Sequence, residues 1–150
     1  MYCVKKYILF LLAAALFFSC DIKLKNKIED DAAIAFNAAL KDTTTVQVID
    51  SFFNFDTAVE GDKVEREYRF VNTGKKPLVI TQANASCGCT VAEKPETPIL
   101  PGDTSFIRVV FNSEGRFGHN EKTIRVESNA YPPFPNLKLV GRVVLKQKSN

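Results

Sequence analysis

From Val46 onward, apolar and polar side chains alternate with a period of two, and turn residues interrupt the alternation at short intervals. Such a chain can bury one face of each extended segment while the other meets water, which commits it to β-sheets. Between Lys63 and Asn72, Val64, Tyr68 and Phe70 share one face and Glu65, Glu67 and Arg69 the other. Arg66 breaks the apolar row, which places that end of the strand at the rim of a core. Thr104 to Asn112 carries Ile107, Val109 and Phe111 on one face, with Phe106, Arg108 and Val110 opposite. Apolar groups on both faces mark an interior strand.

Four further runs have the same character. Val48 to Phe55 supplies Phe52, Phe53 and Phe55, and Leu78-Val79-Ile80 follows the turn Asn72-Thr73-Gly74-Lys75-Lys76-Pro77. Lys122 to Ser128 points Ile124 and Val126 inward and Arg125 and Glu127 outward. The last run, Leu137 to Leu145, aligns Leu137, Leu139, Gly141, Val143 and Leu145 against Lys138 and Arg142. Glu60-Gly61-Asp62 and Pro101-Gly102-Asp103 make turns, and Gly115 and Gly118 punctuate another connection. Pro95, Pro98 and Pro101, and then Pro132, Pro133 and Pro135, mark extended crossings. The spacing predicts an all-β fold, an immunoglobulin-like antiparallel β-sandwich of about seven strands. A closed barrel satisfies the same alternation. The chain has no Trp and no widely spaced cysteine pair in this region, which excludes an antibody-type domain.

The N-terminal part differs. Lys5 and Lys6 precede an apolar run from Tyr7 to Phe18, which ends at Ser19-Cys20. This is the layout of a secretory signal, and the run is too short for a comfortable transmembrane helix. A small residue directly before the cysteine resembles the bacterial lipoprotein signal, in which that cysteine becomes the acylated first residue. Phe17 and Phe18 depart from the common pattern, making the motif a relaxed one. Residues 1–19 are therefore expected to be a lipoprotein signal peptide, 20–46 a tether anchored to the membrane through Cys20, and 47–150 the β-sandwich. Within the tether, Glu29 to Lys41 carries Ala33, Ile34, Phe36, Ala39 and Leu40 at spacings suited to a short amphipathic helix, although a plain linker fits as well.

Charge excludes one class of partner. The formal net charge of +3 falls to +1 once Lys5 and Lys6 leave with the signal, and basic residues elsewhere alternate with acidic ones. The Lys23, Lys25, Lys27 run meets Glu29, Asp30 and Asp31 at once, so no nucleic-acid surface is expected.

Reactive side chains gather at one place, Ala85-Ser86-Cys87-Gly88-Cys89-Thr90. With Cys20 acylated and Cys3 removed, Cys87 and Cys89 are the only cysteines left to the domain. Gly88 between them permits the tight backbone that brings two sulfurs together. The residues leave three roles open: a local structural pair, a redox couple, or a grip on a soft metal. A closed zinc site wants four ligands, and His119 is the only other soft candidate; Cu(I) accepts two thiolates and suits the pair better. In an oxidising compartment neighbouring thiols tend to a disulfide, and a ring closing over one residue is strained and reducible. Ser86 and Thr90, flanking the pair, lack a His-acid partner, and hydroxyls beside turns usually serve backbone hydrogen bonds. No phosphate loop or carboxylate set points to catalysis, and no cofactor beyond that copper is expected.

Several segments together resemble the bacterial family known as domain of unknown function 1573. They are Phe70-x-Asn72-Thr73-Gly74, Pro77-Leu78-Val79-Ile80, Ser86-Cys87-Gly88-Cys89-Thr90, Val110-Phe111-Asn112 and Lys122-Thr123-Ile124-x-Val126-x-Ser128-Asn129. The resemblance covers about residues 48–145, and Ser-Cys-Gly-Cys-Thr is its most specific part. It implies an exported or lipid-anchored protein with an immunoglobulin-like domain similar to those of Hydin and major sperm protein, and it brings no activity. The clearest departure is Asp56, where the family often has glycine after the Phe. The expectation is a non-enzymatic binding or structural module of the cell envelope, anchored at the outer membrane and facing the periplasm or the cell surface. Its partner would be an envelope protein or a glycan. The alternative is a thiol-redox or copper-handling protein built on Cys87 and Cys89.

Overall fold

The computed structural model describes residues 31 and 33–146. The signal segment, Cys20 and the Lys23 to Lys27 run lie outside the described residues. The chain divides after Asn37 into two units. Residues 31 and 33–37 of the first are helical, as are Ala38 and Ala39 of the second.

The second unit is built from eight strands. They are β1 (Val46–Val48), β2 (Phe52–Val59), β3 (Lys63–Asn72), β4 (Ile80–Ala85), β5 (Thr90–Glu93), β6 (Thr104–Asn112), β7 (Gly118–Ser128) and β8 (Leu137–Val144). Sheet one has the order β1-β3-β6-β5 and sheet two the order β2-β8-β7-β4. The sheets pack face to face as a sandwich rather than closing into a barrel, and the immunoglobulin-like class read from the alternation holds. The buried faces supply the core: Tyr68 and Phe70 from β3, Ile107, Val109 and Phe111 from β6, Ile124 and Val126 from β7, and Leu137, Leu139 and Val143 from β8. β6 lies between β3 and β5, the interior position its two apolar faces predict.

Five details differ from the sequence reading. The run Val48 to Phe55 is two strands, because β1 pairs with β3 in sheet one and β2 with β8 in sheet two. That second pair is parallel, so sheet two is mixed. Leu78 makes an isolated bridge to Ile99, and β4 proper begins at Ile80. β7 starts at Gly118, which places His119 on a strand rather than in a connection. Leu145 falls beyond β8 and is exposed.

Connections that carry polar backbone into the interior are held by asparagines. Asn72 is fully buried. Its Oδ1 accepts from the Thr44 hydroxyl at 3.0 Å and from Gly74 N at 3.1 Å, and its Nδ2 donates to Lys76 O at 2.8 Å and Ile99 O at 2.9 Å. Asn129 acts in the same way on the stretch ahead of β1. Its amide donates to Ala39 O, Asp42 O and Pro77 O at 2.8 to 3.0 Å and accepts from Val79 N at 2.9 Å. Thr44 adds a parallel bridge to Ala130. The chain is thus fastened to the sandwich from Ala39 on, ahead of Val46.

The parallel β2–β8 pair contains a bulge, in which Phe55 and Asp56 together stand opposite Gly141. Asp56 takes a left-handed conformation (φ 56°), and its N–H donates to Asn54 Oδ1 at 2.9 Å. Left-handed backbone is strained for a residue with a Cβ and free for glycine. Asp56→Gly is expected to stabilise the protein by about 0.5 kcal/mol, read as a rise in Tm of roughly 2–4 °C; Asp56→Val should lower it.

Tyr68 ties the two sheets together, its hydroxyl donating to Lys138 O of β8 at 2.8 Å. Burial pushes its pKa up to about 12, with nearby Arg66 opposing the rise. The folded state therefore prefers the neutral phenol, a contribution fully present below the unfolded pKa of roughly 10 and lost as pH rises from there towards 12. Urea midpoints should fall between those two values for the native protein and fall less for Tyr68→Phe, which begins from a lower plateau.

Arg66, expected at the rim, reaches inward beside the core. Its guanidinium lies 4.8 Å from the centre of the Phe53 ring and 3.6 Å from Asp50. Asp50 also accepts from Arg69 Nε at 2.7 Å, and that hydrogen bond holds its carboxyl below the ordinary value. Stacking of the guanidinium on the ring lets a charged side chain occupy an inward position at the sandwich edge.

Candidate functional site

β4 ends sheet two at Ala85, and β5 opens at Thr90 on the edge of sheet one. Only Ser86 to Cys89 crosses between the layers, and each end of the crossing is fastened to its own sheet. Ser86 N donates to Thr123 O at 2.9 Å and Ser86 Oγ accepts from Thr123 N at 3.2 Å, which joins the start of the crossing to β7. Cys89 O accepts from Asn112 N at 2.9 Å, which joins its end to β6. Thr90 N closes a turn onto Cys87 O at 3.2 Å.

Within that turn Cys87 and Cys89 form a disulfide across Gly88, with Cα atoms 5.4 Å apart. A Cβ added to Gly88 would meet nothing nearby, so glycine is not required there for space. Both sulfurs are half-buried, but only Cys89 packs against the core. Thr90 is 5 % exposed. Its Oγ1 lies 3.7 Å from Cys87 Sγ and 3.9 Å from Cys89 Sγ. A disulfide sulfur carries no hydrogen, so the hydroxyl is the donor. Ser86 thus serves the backbone, as its place beside a turn implies, whereas the Thr90 hydroxyl faces sulfur.

Sequence reasoning missed one more group near this crossing. Lys122 shares the inward phase of Ile124 and Val126, and its Nζ sits 5.1 Å from the centre of the Phe111 ring, which Thr90 opposes across the β5–β6 ladder. Burial pushes the Lys122 ammonium below its ordinary pKa, and Arg116 adds repulsion. Its alternation phase was the available signal. His119 projects outward from β7 opposite Arg142, whereas Cys89 packs towards the core between the sheets. Among the described residues no three His, Cys, Asp or Glu side chains gather in metal-binding geometry.

Among the described residues, the crossing also leaves the outer edges of β4 and β5 unpaired on the same flank. A shallow groove of about 430 Å³ runs between them, lined by Thr81, Ala83, Asn84, Ala92, Glu93 and Lys94 among others.

Two four-stranded sheets joined by edge crossings, one of them mixed, make an immunoglobulin-like β-sandwich. A protein of unknown function from Porphyromonas gingivalis W83 shares the fold, with a TM-score of 0.58 at 18% identity over 67% of this chain and 47% of that one. The present chain therefore spans about half the length of that protein. The ASH / PapD-like domain of human CEP192 superposes with a TM-score of 0.53 at 13% identity, covering 69% of this chain and 88% of that domain. No curated protein matches the chain in sequence. The chain belongs to the family described as Protein of unknown function (DUF1573), whose pattern it matches over residues 46–143.

Proposed function

We propose that this protein is an exported, lipid-anchored component of the bacterial cell envelope whose sandwich acts as a non-enzymatic binding module. The anchor is the acylated Cys20, in keeping with the apolar run and Ser19-Cys20 junction that resemble a lipoprotein signal. The observation that carries the binding role is the pair of free strand edges, β4 and β5, exposed side by side along one flank. Such edges offer unpaired backbone donors and acceptors to an extended segment of another envelope protein, and polar side chains such as Asn84 and Glu93 to a glycan. Photocrosslinking from Gln82 and Glu93 in intact cells, with Lys138 on the outer face of sheet two as control, tests the surface. Adducts at the edge positions alone support the module; equal labelling at all three overturns it. Intact mass of the envelope form tests the anchor: an acylated chain beginning at Cys20 supports it, and an unmodified chain refutes it.

The disulfide favours a second reading, a thiol-redox role for Cys87 and Cys89. Soft-metal binding belongs to the reduced pair alone, because sulfurs bonded to each other are not thiolate ligands. Copper handling would therefore begin with reduction of this bond, and Cu(I) bound by the reduced protein but not by a Cys87→Ser, Cys89→Ser variant is its test.

A further inference from the structure

We propose that Thr90 is the hydrogen-bond donor that supports the released thiolate when a dithiol in the envelope exchanges electrons with the Cys87–Cys89 disulfide. The inference rests on the redox reading above and assigns direction and a supporting group to it.

Buried hydroxyls ordinarily satisfy main-chain carbonyls. The Thr90 hydroxyl instead faces both sulfurs, at 3.7 and 3.9 Å, from a position only 5 % exposed. Little is gained for folding by that aim, since a neutral disulfide sulfur is a weak acceptor. A thiolate in the same place is a strong one, because hydrogen bonds to ionised acceptors are roughly twice as strong as neutral ones. The hydroxyl is therefore placed for the reduced pair rather than for the oxidised one.

Packing sets the direction. Cys89 lies against the core with Ala85 and Ala92, while Cys87 does not join that cluster. An incoming thiolate must approach in line with the sulfur–sulfur bond, so it attacks Cys87 Sγ and displaces Cys89 Sγ. The new bond joins substrate sulfur to Cys87, and the electron pair of the broken bond leaves on Cys89. The second substrate thiolate then attacks its own partner sulfur, closing the substrate disulfide and releasing Cys87 as thiolate. The substrate is oxidised by two electrons and the pair reduced by two, while the two protons of the substrate thiols pass through water to the cysteines. A thiolate half-buried at Cys89 is disfavoured by desolvation, and the Thr90 hydroxyl offsets that cost. The Lys122 ammonium over Phe111, the residue paired with Thr90, adds positive charge at the same end of the sandwich.

The test uses the full chain in detergent, with dithiothreitol as the dithiol. The native protein should be reduced without denaturant, as followed by alkylation and intact mass. A Cys89→Ser variant should form a mixed disulfide at Cys87 with added glutathione disulfide more readily than Cys87→Ser forms one at Cys89, each exchange releasing one glutathione thiolate. In the reduced protein, the pH at which iodoacetamide alkylation reaches half its maximal rate should rise by about one unit in Thr90→Val. Exchange with dithiothreitol at neutral pH should slow roughly three- to tenfold in that variant, and Thr90→Ser should restore both. Thr90→Ala is read in the same way if valine disturbs the fold. An unmoved alkylation profile in the valine and alanine variants overturns the role of Thr90 while leaving the redox reading intact. A disulfide that resists dithiothreitol until the protein unfolds overturns both.

Discussion

Asn72→Ala is expected to lower the unfolding free energy by about 3–4 kcal/mol, because it strands several buried groups at once. The side-chain amide uses its full capacity: Thr44 and Gly74 donate to it, and it donates to the carbonyls of Lys76 and Ile99. Its own backbone reaches Asp103 O at 3.0 Å and receives Gly102 N at 2.8 Å. One residue therefore holds the strand leading into β1, the turn after β3 and the proline-rich crossing before β6. Tm should fall by roughly 15 °C. Asn72→Asp should do no better at neutral pH, since a carboxylate presents oxygen to two carbonyls where the amide presents N–H. Urea titrations of both variants decide it. A loss under roughly 1 kcal/mol would mean that water replaces the amide without penalty.

Gly141→Ala is the second large effect. An added Cβ would come within 2.5 Å of the Phe55 ring, which lies directly on the glycine backbone. The ring cannot withdraw easily: the bulge in β2 aims it there, and Phe111 packs beside it with centroids 5.8 Å apart. Overpacking of this kind costs about 2–3 kcal/mol, and Gly141→Val should cost more. Phe55→Leu should recover part of the loss, so the double variant should be more stable than the sum of the single changes predicts. Strict additivity in the thermal and urea midpoints would show that the clash is relieved elsewhere.

The residues of these two sites differ in how far the sequence exposes them. Gly141 falls in the inward phase of Leu137, Leu139 and Val143, so its burial follows from alternation alone. Its ring partner does not, because Phe55 reaches it through a bulge and a parallel pairing between strands about eighty residues apart. The division of Val48 to Phe55 into β1 and β2 is hidden for a related reason: the break occurs where the chain leaves one sheet for the other, and local apolarity continues across it. β5 has only four residues and merges with the cysteine stretch, too few to display a period. His119 reads as part of a connection because Gly115 and Gly118 lie just ahead of it, whereas Gly118 is itself the first residue of β7. At the site, the sequence exposes which atoms meet, the two sulfurs of Cys-Gly-Cys. Where the Thr90 hydroxyl points depends on how the crossing closes, and a hydroxyl beside a turn reads the same whichever partner it takes.

Under the anchor proposed at Cys20, the fastening of residues ahead of β1 would have a mechanical meaning. A protein held by its N-terminal end transmits any pull on its sandwich through the segment that leaves it. That load arrives first at Ala39 and Asp42, whose carbonyls the Asn129 amide grips, and at the Lys76–Asp42 ion pair at 3.2 Å. It passes next to Thr44, bonded through its hydroxyl to Asn72 and through its backbone to Asn129 and Tyr131. Only after these give way does tension reach the three-residue β1 and its ladder with β3. The asparagines act as a strain relief, so the short edge strand, and the core beneath it, are spared forces applied at the leading end of the domain.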